Sequence, residues 1–144
     1  MAKSTATCNS LLALILNAVA WANIAYNAAS GPFTNLYVSL HTASPGVGNA
    51  QTTNETAYTN YTRIAVVRTT SGWSVPASAA SSNVAAVTFP TCGVTGATIT
   101  HAAIGTASSG SGTVLYAGAL SSSLAVTAGM QPTFAIAALA VSEA

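Results

Sequence analysis

The side chains able to move a proton, attack an electrophile or ligate a metal are few in this 144-residue chain. They are His41, His101, Cys8, Cys92, Glu55 and Glu143, set among many serines and threonines, with no aspartate. A Ser-His-Asp triad is therefore excluded. Glu55 could take the aspartate's place and orient His41 toward a serine, yet no Gly-x-Ser-x-Gly elbow presents such a serine. Glycoside hydrolysis needs two carboxyl groups flanking the scissile bond, and the second one here, Glu143, stands beside the last residue. Zinc sites are announced by paired ligands, and neither Cys-x-x-Cys nor His-x-x-x-His occurs. Calcium wants clustered carboxylates, which are missing. The run Ser108-Ser109-Gly110-Ser111-Gly112 reads as a hairpin turn, not as a phosphate-binding loop opening a helix. No catalytic, cofactor or metal site is expected, and the chain is not read as an enzyme.

One charged pair has a positive reading. Lys3, Arg63, Arg68, Glu55 and Glu143 are all the charges in the chain. Arg63 on a strand and Glu55 on the preceding loop are expected to find each other and pin the base of an arm over residues 43–60. On an exposed surface that pair would be worth only ~0–1 kcal/mol.

The wider composition says what kind of surface surrounds this pair. Charged residues are 3% of the chain and hydrophobic ones 51%, against roughly 25% charged in ordinary globular domains. Disorder requires low hydrophobicity and high net charge, so the chain folds. Three cations cannot track a phosphate backbone, so no nucleic-acid partner is expected. A net charge of +1 and a mean hydropathy of +0.52 leave little repulsion between copies. Charge depletion also marks buried interface cores. Much of this exterior is therefore expected to face protein.

Residues 11–29 are the one apolar stretch of membrane-like length, and Asn17, Asn23 and Asn27 interrupt it, so no membrane span is expected. The polar residues among Ser4–Ser10 and the aromatics after the apolar run argue against a signal segment. Cys8 and Cys92 have no recognisable spacing; two partly buried free thiols are favoured over one disulfide. Asn54-Glu55-Thr56 and Asn60-Tyr61-Thr62 match the glycosylation pattern and are read as chance in a Thr-rich loop.

The chain reads as a single domain, 1–144, with an N-terminal helical segment (1–31) and a β-sandwich (32–144) that has a long loop at about 42–60. Leu12, Ile15, Leu16 and Val19 predict a helix over residues 11–29, capped by Ser10 and stopped by Ser30, Gly31 and Pro32. From Leu36 the period becomes two: Leu36, Val38 and Leu40 alternate with Tyr37, Ser39 and His41. Further strands are expected over 61–69, 83–89, 98–104, 114–116, 124–127 and 133–142. Short strands separated by turn signals predict an all-β fold, an antiparallel β-sandwich of jelly-roll type with one N-terminal α-helix. Trp73, Phe89, Phe134 and Leu139 are the expected core anchors in an alanine-rich chain.

From Leu36 onward the sequence resembles a family of small tailed-bacteriophage virion proteins. The likeness rests on Leu36–Gly46 (LYVSLHTASPG), on Glu55 with Tyr61-Thr62-Arg63, and on Asn83–Pro90 (NVAAVTFP). Thr98–His101 (TITH), Leu115–Leu120 (LYAGAL) and Ala128-Gly129-Met130 complete it. Ser44 and Met130 stand where an acidic residue is common in that family. The resemblance implies a virion structural protein, tail-fibre-like or capsid-associated. The flat, uncharged composition favours a capsid decoration or cement protein on the outer head shell, assembled in the host cytoplasm. Its expected partners are the major capsid protein and copies of itself, as a dimer or trimer joined through sheet edges and the helix. A tail-fibre or tail-knob domain contacting the host surface is the alternative, and an adhesin or pilin-like subunit a third.

Overall fold

The computed structural model describes residues 3–21, 33–46 and 49–143. Their elements, in chain order, are α1 (Thr5–Leu16), β1 (Asn35–His41), β2 (Ile64–Val67), β3 (Ala80–Ser82), β4 (Val87–Thr88), β5 (Ala97–Gly105), β6 (Val114–Val126), β7 (Thr133–Phe134) and β8 (Ala140–Ser142). The fold is all-β with one short helix. The strands form a four-stranded sheet in the order β2-β1-β5-β6 and the pairs β3-β8 and β4-β7. These pairings do not establish the two facing sheets of a jelly roll. The residues gather into two compact units, one of 1–35, 66–86 and 134–144, the other of 36–65 and 87–133.

In the first unit the helix starts earlier than its apolar period predicts. Ser4 is extended (φ −74°, ψ 155°) and its hydroxyl accepts the Thr7 amide at 3.2 Å, so Ser4, not Ser10, is the N-cap. The buried stripe is Cys8, Leu12 and Leu16, a spacing of four that begins one turn before the leucines. Asn17 caps the other end, and Ala18 turns left-handed at φ 55°. The helix thus closes at Leu16, well short of residue 29. The expected stop at Ser30-Gly31-Pro32 lies outside the described residues.

A cation from far along the chain closes that helix. Arg68 Nε donates to the Ile15 carbonyl at 2.6 Å and a terminal nitrogen donates to Leu14 at 2.7 Å. Its third bond goes to the Phe33 carbonyl at 2.8 Å. The last turn of α1 has no basic residue of its own, so Arg68 supplies the positive charge that the carbonyl end of a helix favours. Burial lowers the Arg68 pKa from its usual value, and the side chain stays charged because it starts so high.

Asn83, 1% exposed, ties the C-terminal segment to the same unit. Its amide nitrogen donates to the Ala85 and Ala135 carbonyls at 2.8 Å each, and its oxygen accepts the Leu139 amide at 2.8 Å. β3 and β8 pair antiparallel with Ser81 opposite Val141. Trp73 is fully buried, and its carbonyl accepts Asn17 Nδ2 at 3.1 Å. Lys3 and Glu143 close the unit with a 2.5 Å ion pair.

The second unit is organised by the sheet. β1 and β5 run antiparallel with Val38 opposite Ile104 and His41 opposite His101. One face of β1 buries Leu36, Val38 and Leu40, as its period predicts. β6 is one strand of 13 residues, where the sequence suggests two. Both expected segments pair with β5: the one at 114–116 is longer than expected, with Tyr116–Ala119 opposite His101–Ile104 and Val114 opposite Gly105, and Leu124–Val126 lie opposite Ala97–Ile99. The residues between them, with Ser121–Ser123 exposed, face only Thr100 and form an excursion in the strand. The strand expected over 61–69 shrinks to Ile64–Val67, because Tyr61 and Arg63 turn to other work.

Replacing Arg68 with Met leaves the Leu14, Ile15 and Phe33 carbonyls without their shared donor. The expected loss is about 2 kcal/mol of unfolding free energy in urea. Arg68→Lys should recover only part, since an ammonium cannot fork to three carbonyls. Equal stability of all three proteins would refute this role.

Candidate functional site

The densest polar cluster lies where residues 49–63 return alongside β1. Thr56 N donates to the Leu40 carbonyl and Thr42 N to Asn54, each at 2.9 Å, and a bridge pairs His41 with Glu55. The described residues of the loop expected at about 42–60 are therefore laced to the strand end. Asn54 and Asn60 take left-handed turns at φ 54° and 78°, conformations asparagine tolerates better than most residues. Their side-chain amides donate to the Ser44 and Thr91 carbonyls, so both apparent glycosylation asparagines are used in turns.

Glu55 and Arg63 meet there as a two-pronged pair. Arg63 Nε donates to Glu55 Oε1 at 2.6 Å and Nη2 to Oε2 at 2.7 Å. The same guanidinium donates to the Ala107 and Gly110 carbonyls at 2.9 and 2.7 Å. It thereby fixes the turn between β5 and β6. Tyr61 OH donates to Glu55 Oε1 at 2.8 Å and accepts the Leu40 amide at 3.0 Å. The Arg63 side chain is 2% exposed and that of Glu55 13%, so the surface estimate of this pair's worth does not apply. The hydrogen bond to Glu55 raises the Arg63 pKa. Burial, with the Glu55 charge adding to it, holds the Tyr61 phenol far above its usual range.

Gln51 completes the brace. Its side chain is fully buried, donating to the Tyr37 carbonyl at 3.4 Å and accepting the Ala107 amide at 2.9 Å. It occupies the space a side chain at residue 105 would need, which is why Gly105 stands there.

A second polar pair has the look of catalysis. Ser39 Oγ lies 2.9 Å from His41 Nε2, and His41 Nδ1 lies 3.0 Å from the Thr53 carbonyl. A carbonyl only accepts, so Nδ1 carries the proton and Nε2 of the neutral ring accepts from the serine. This is nucleophile-to-base geometry with a carbonyl as orienting group. Yet Ser39 and His41 are both 0% exposed, and no substrate reaches a sealed hydroxyl. Glu55 does not orient His41; it is engaged by Arg63 and Tyr61. The period-two spacing of residues 39 and 41 put the two side chains on one face, and that signal could have revealed the pair.

The other residues singled out are spread through the fold. Trp73 (first unit) and Phe89 (second) are buried, at 0% and 1% exposure. Phe134 and Leu139 are only half-buried; Asn83 holds this segment through the backbone of Ala135 and Leu139. Cys8 and Cys92 are buried free thiols in different units. Among the described residues no group of three His, Cys, Asp or Glu side chains is placed to hold a metal. No described helix is long and apolar enough to cross a membrane.

The charges share a pattern. Glu55 is spent on Arg63, Glu143 on Lys3, and Arg68 on helix carbonyls. The second unit holds only Glu55 and Arg63 as full charges, and both turn inward. Its outer surface is made of neutral groups.

The family model described as "Podophage GP4 fiber I protein gp80" matches residues 2–142, nearly the whole chain. The chain belongs to that family, and the resemblance to small tailed-phage virion proteins is borne out. It is a bacteriophage virion structural protein. No curated protein matches the sequence.

Two outcomes follow from the buried groups. Glu55→Gln and Arg63→Met should each cost about 3–5 kcal/mol by stranding a buried partner, and the double variant clearly less than their sum. Additive losses in a double-mutant cycle would refute the coupling. Burial lowers the His41 pKa, so the unfolded chain takes up a proton first as pH falls below about 6.5. The stability held above that pH drains away between there and the lower folded value, at no more than ~1.4 kcal/mol per pH unit. A His41→Gln variant should lose this part of the slope in denaturation midpoints measured from pH 7 to 5.

Proposed function

We propose that this virion protein is a subunit of a podophage fibre, a structural part with no catalytic role. Membership of a family described by a fibre protein supports the reading. The carrying structural observation is that every charged side chain has a partner within its own unit, and that the second unit turns both of its charges inward and so presents a neutral exterior. Such a surface is costly to keep in water and cheap to bury against protein. In this reading the chain stands among other virion proteins and copies of itself, away from genome and membrane.

Decoration of the outer head shell is the second reading, and the same flat, neutral exterior favours it. There the major capsid protein would be the partner, and each seated copy would resist shell rupture by its own binding energy. A standard interface buries ~1,600 Å², and many of them add up. The family description tilts the choice to the fibre.

Immunogold labelling of intact particles with antibodies to this chain decides between them. Gold on fibres at the tail is the expected result. Gold over the head would transfer the protein to the shell. Particles that bind no antibody and lack the chain on a stained gel would end both readings.

A further inference from the structure

We infer that the outer edge of β6, centred on Ala117–Ala119, is the seam along which two copies of this chain join their sheets about a two-fold axis. This names a surface for the self-assembly proposed above and rests on that reading.

β6 is an edge strand, with β5 on one side only. Its start is covered, since Val114 N donates to the Asn49 carbonyl and Ala50 bridges Thr113. From Ala117 to Val126, the described residues make no backbone hydrogen bond besides those to β5. Edge strands are normally protected by lysine, proline, shortness or a bulge. β6 carries no charge and no proline over its 13 residues, and the excursion at Ser121–Ser123, an irregularity of this kind, lies beyond Ala117–Ala119. The opposite edge, β2, is only four residues long, so shortness guards the sheet there, while β6 is open at Ala117–Ala119.

Three observations point to a second copy as occupant. Gly118 is exposed, and a side chain built on it would meet nothing within 4 Å; a glycine at an edge lets another backbone come close. Ala119 beside it is exposed and small. The second unit's two full charges are both turned inward. That leaves the second unit no exposed full charge to repel a copy of itself or to select a charged partner. Pairing of an edge with itself about a two-fold is antiparallel and closes at two, whereas β6-to-β2 pairing would propagate. The serine excursion at Ser121–Ser123 ends the pairing on one side and so sets its register.

The test uses the purified full chain. Light scattering and sedimentation should give a dimer for the wild type and at least tenfold weaker association for Gly118→Lys/Ala119→Lys, with an unchanged far-UV dichroism spectrum. Ser122→Lys, a charge placed on the excursion, should leave the dimer intact. Hydrogen exchange on the wild type gives a reading independent of any variant: amides within 117–119 should slow as concentration rises. A wild type that stays monomeric to millimolar concentration overturns the seam. So does an oligomer indifferent to the two lysines, or edge protection that comes only on adding another virion protein. None of these outcomes bears on where antibodies bind the particle, so the fibre reading stands or falls separately.

Discussion

The bond between Glu55 and Arg63 is the constraint from which the second unit is built. A guanidinium has five donors in a rigid plane, and this one uses four of them on the Glu55 carboxylate and the carbonyls of Ala107 and Gly110. One side chain thereby holds the residues beside the end of β1 and the turn between β5 and β6. Tyr61 ties the carboxylate to the Leu40 amide. Taking such a pair out of water costs several kcal/mol per ion, and attraction repays it only when geometry and remaining bonds are good. Here the carboxylate is bound on both oxygens, and three carbonyls or hydroxyls share the rest.

Part of this was legible in the residues. With two carboxylates and three cations, the partners of Glu55 could be counted, and Arg63 lay on the next strand. Burial could not be counted, since it depends on Gln51, Ala107 and Gly110 closing around the pair from other parts of the chain. The alternation at 36–41 gave the apolar face of β1 correctly and left its polar face, Ser39 and His41, unread. Trp73 and Phe89 are buried as their size suggests, whereas Phe134 and Leu139 are only half-buried in a segment that Asn83 holds through the backbone of Ala135 and Leu139. An asparagine reads as a turn residue in a sequence, and nothing local reveals that its amide closes two long-range bonds. The helix boundary was missed because the cap at Ser4 precedes any apolar signal. The unity of β6 was hidden because a serine run looks like a connection even where both sides pair with one strand.

The two units use their scarce charges in different ways. In the first, Arg68 has no carboxylate and answers the summed dipoles of a helix end, while the Lys3 and Glu143 pair stays partly exposed at 39% and 17%. Exposure makes that pair worth little. In the second, the ions are buried and the network is dense. The net charge of +1 is in effect Arg68, set against carbonyls and so muted to the outside.

A neutral exterior does not follow from lacking charge alone; it requires that the few charges present be turned inward. A well-packed apolar pair in place of Glu55 and Arg63 would leave the exterior just as neutral and spare the desolvation cost. What an apolar pair could not do is bind the Ala107 and Gly110 carbonyls, the Tyr61 hydroxyl and each other at fixed angles. The ions therefore earn their place by direction, since they position a turn and a strand end that small residues such as Ser108, Gly110 and Gly112 could not hold. Neutrality outside and a directional clamp inside are two consequences of one placement. A virion subunit needs both, a surface that protein can cover without repulsion and a body that keeps its shape while covered.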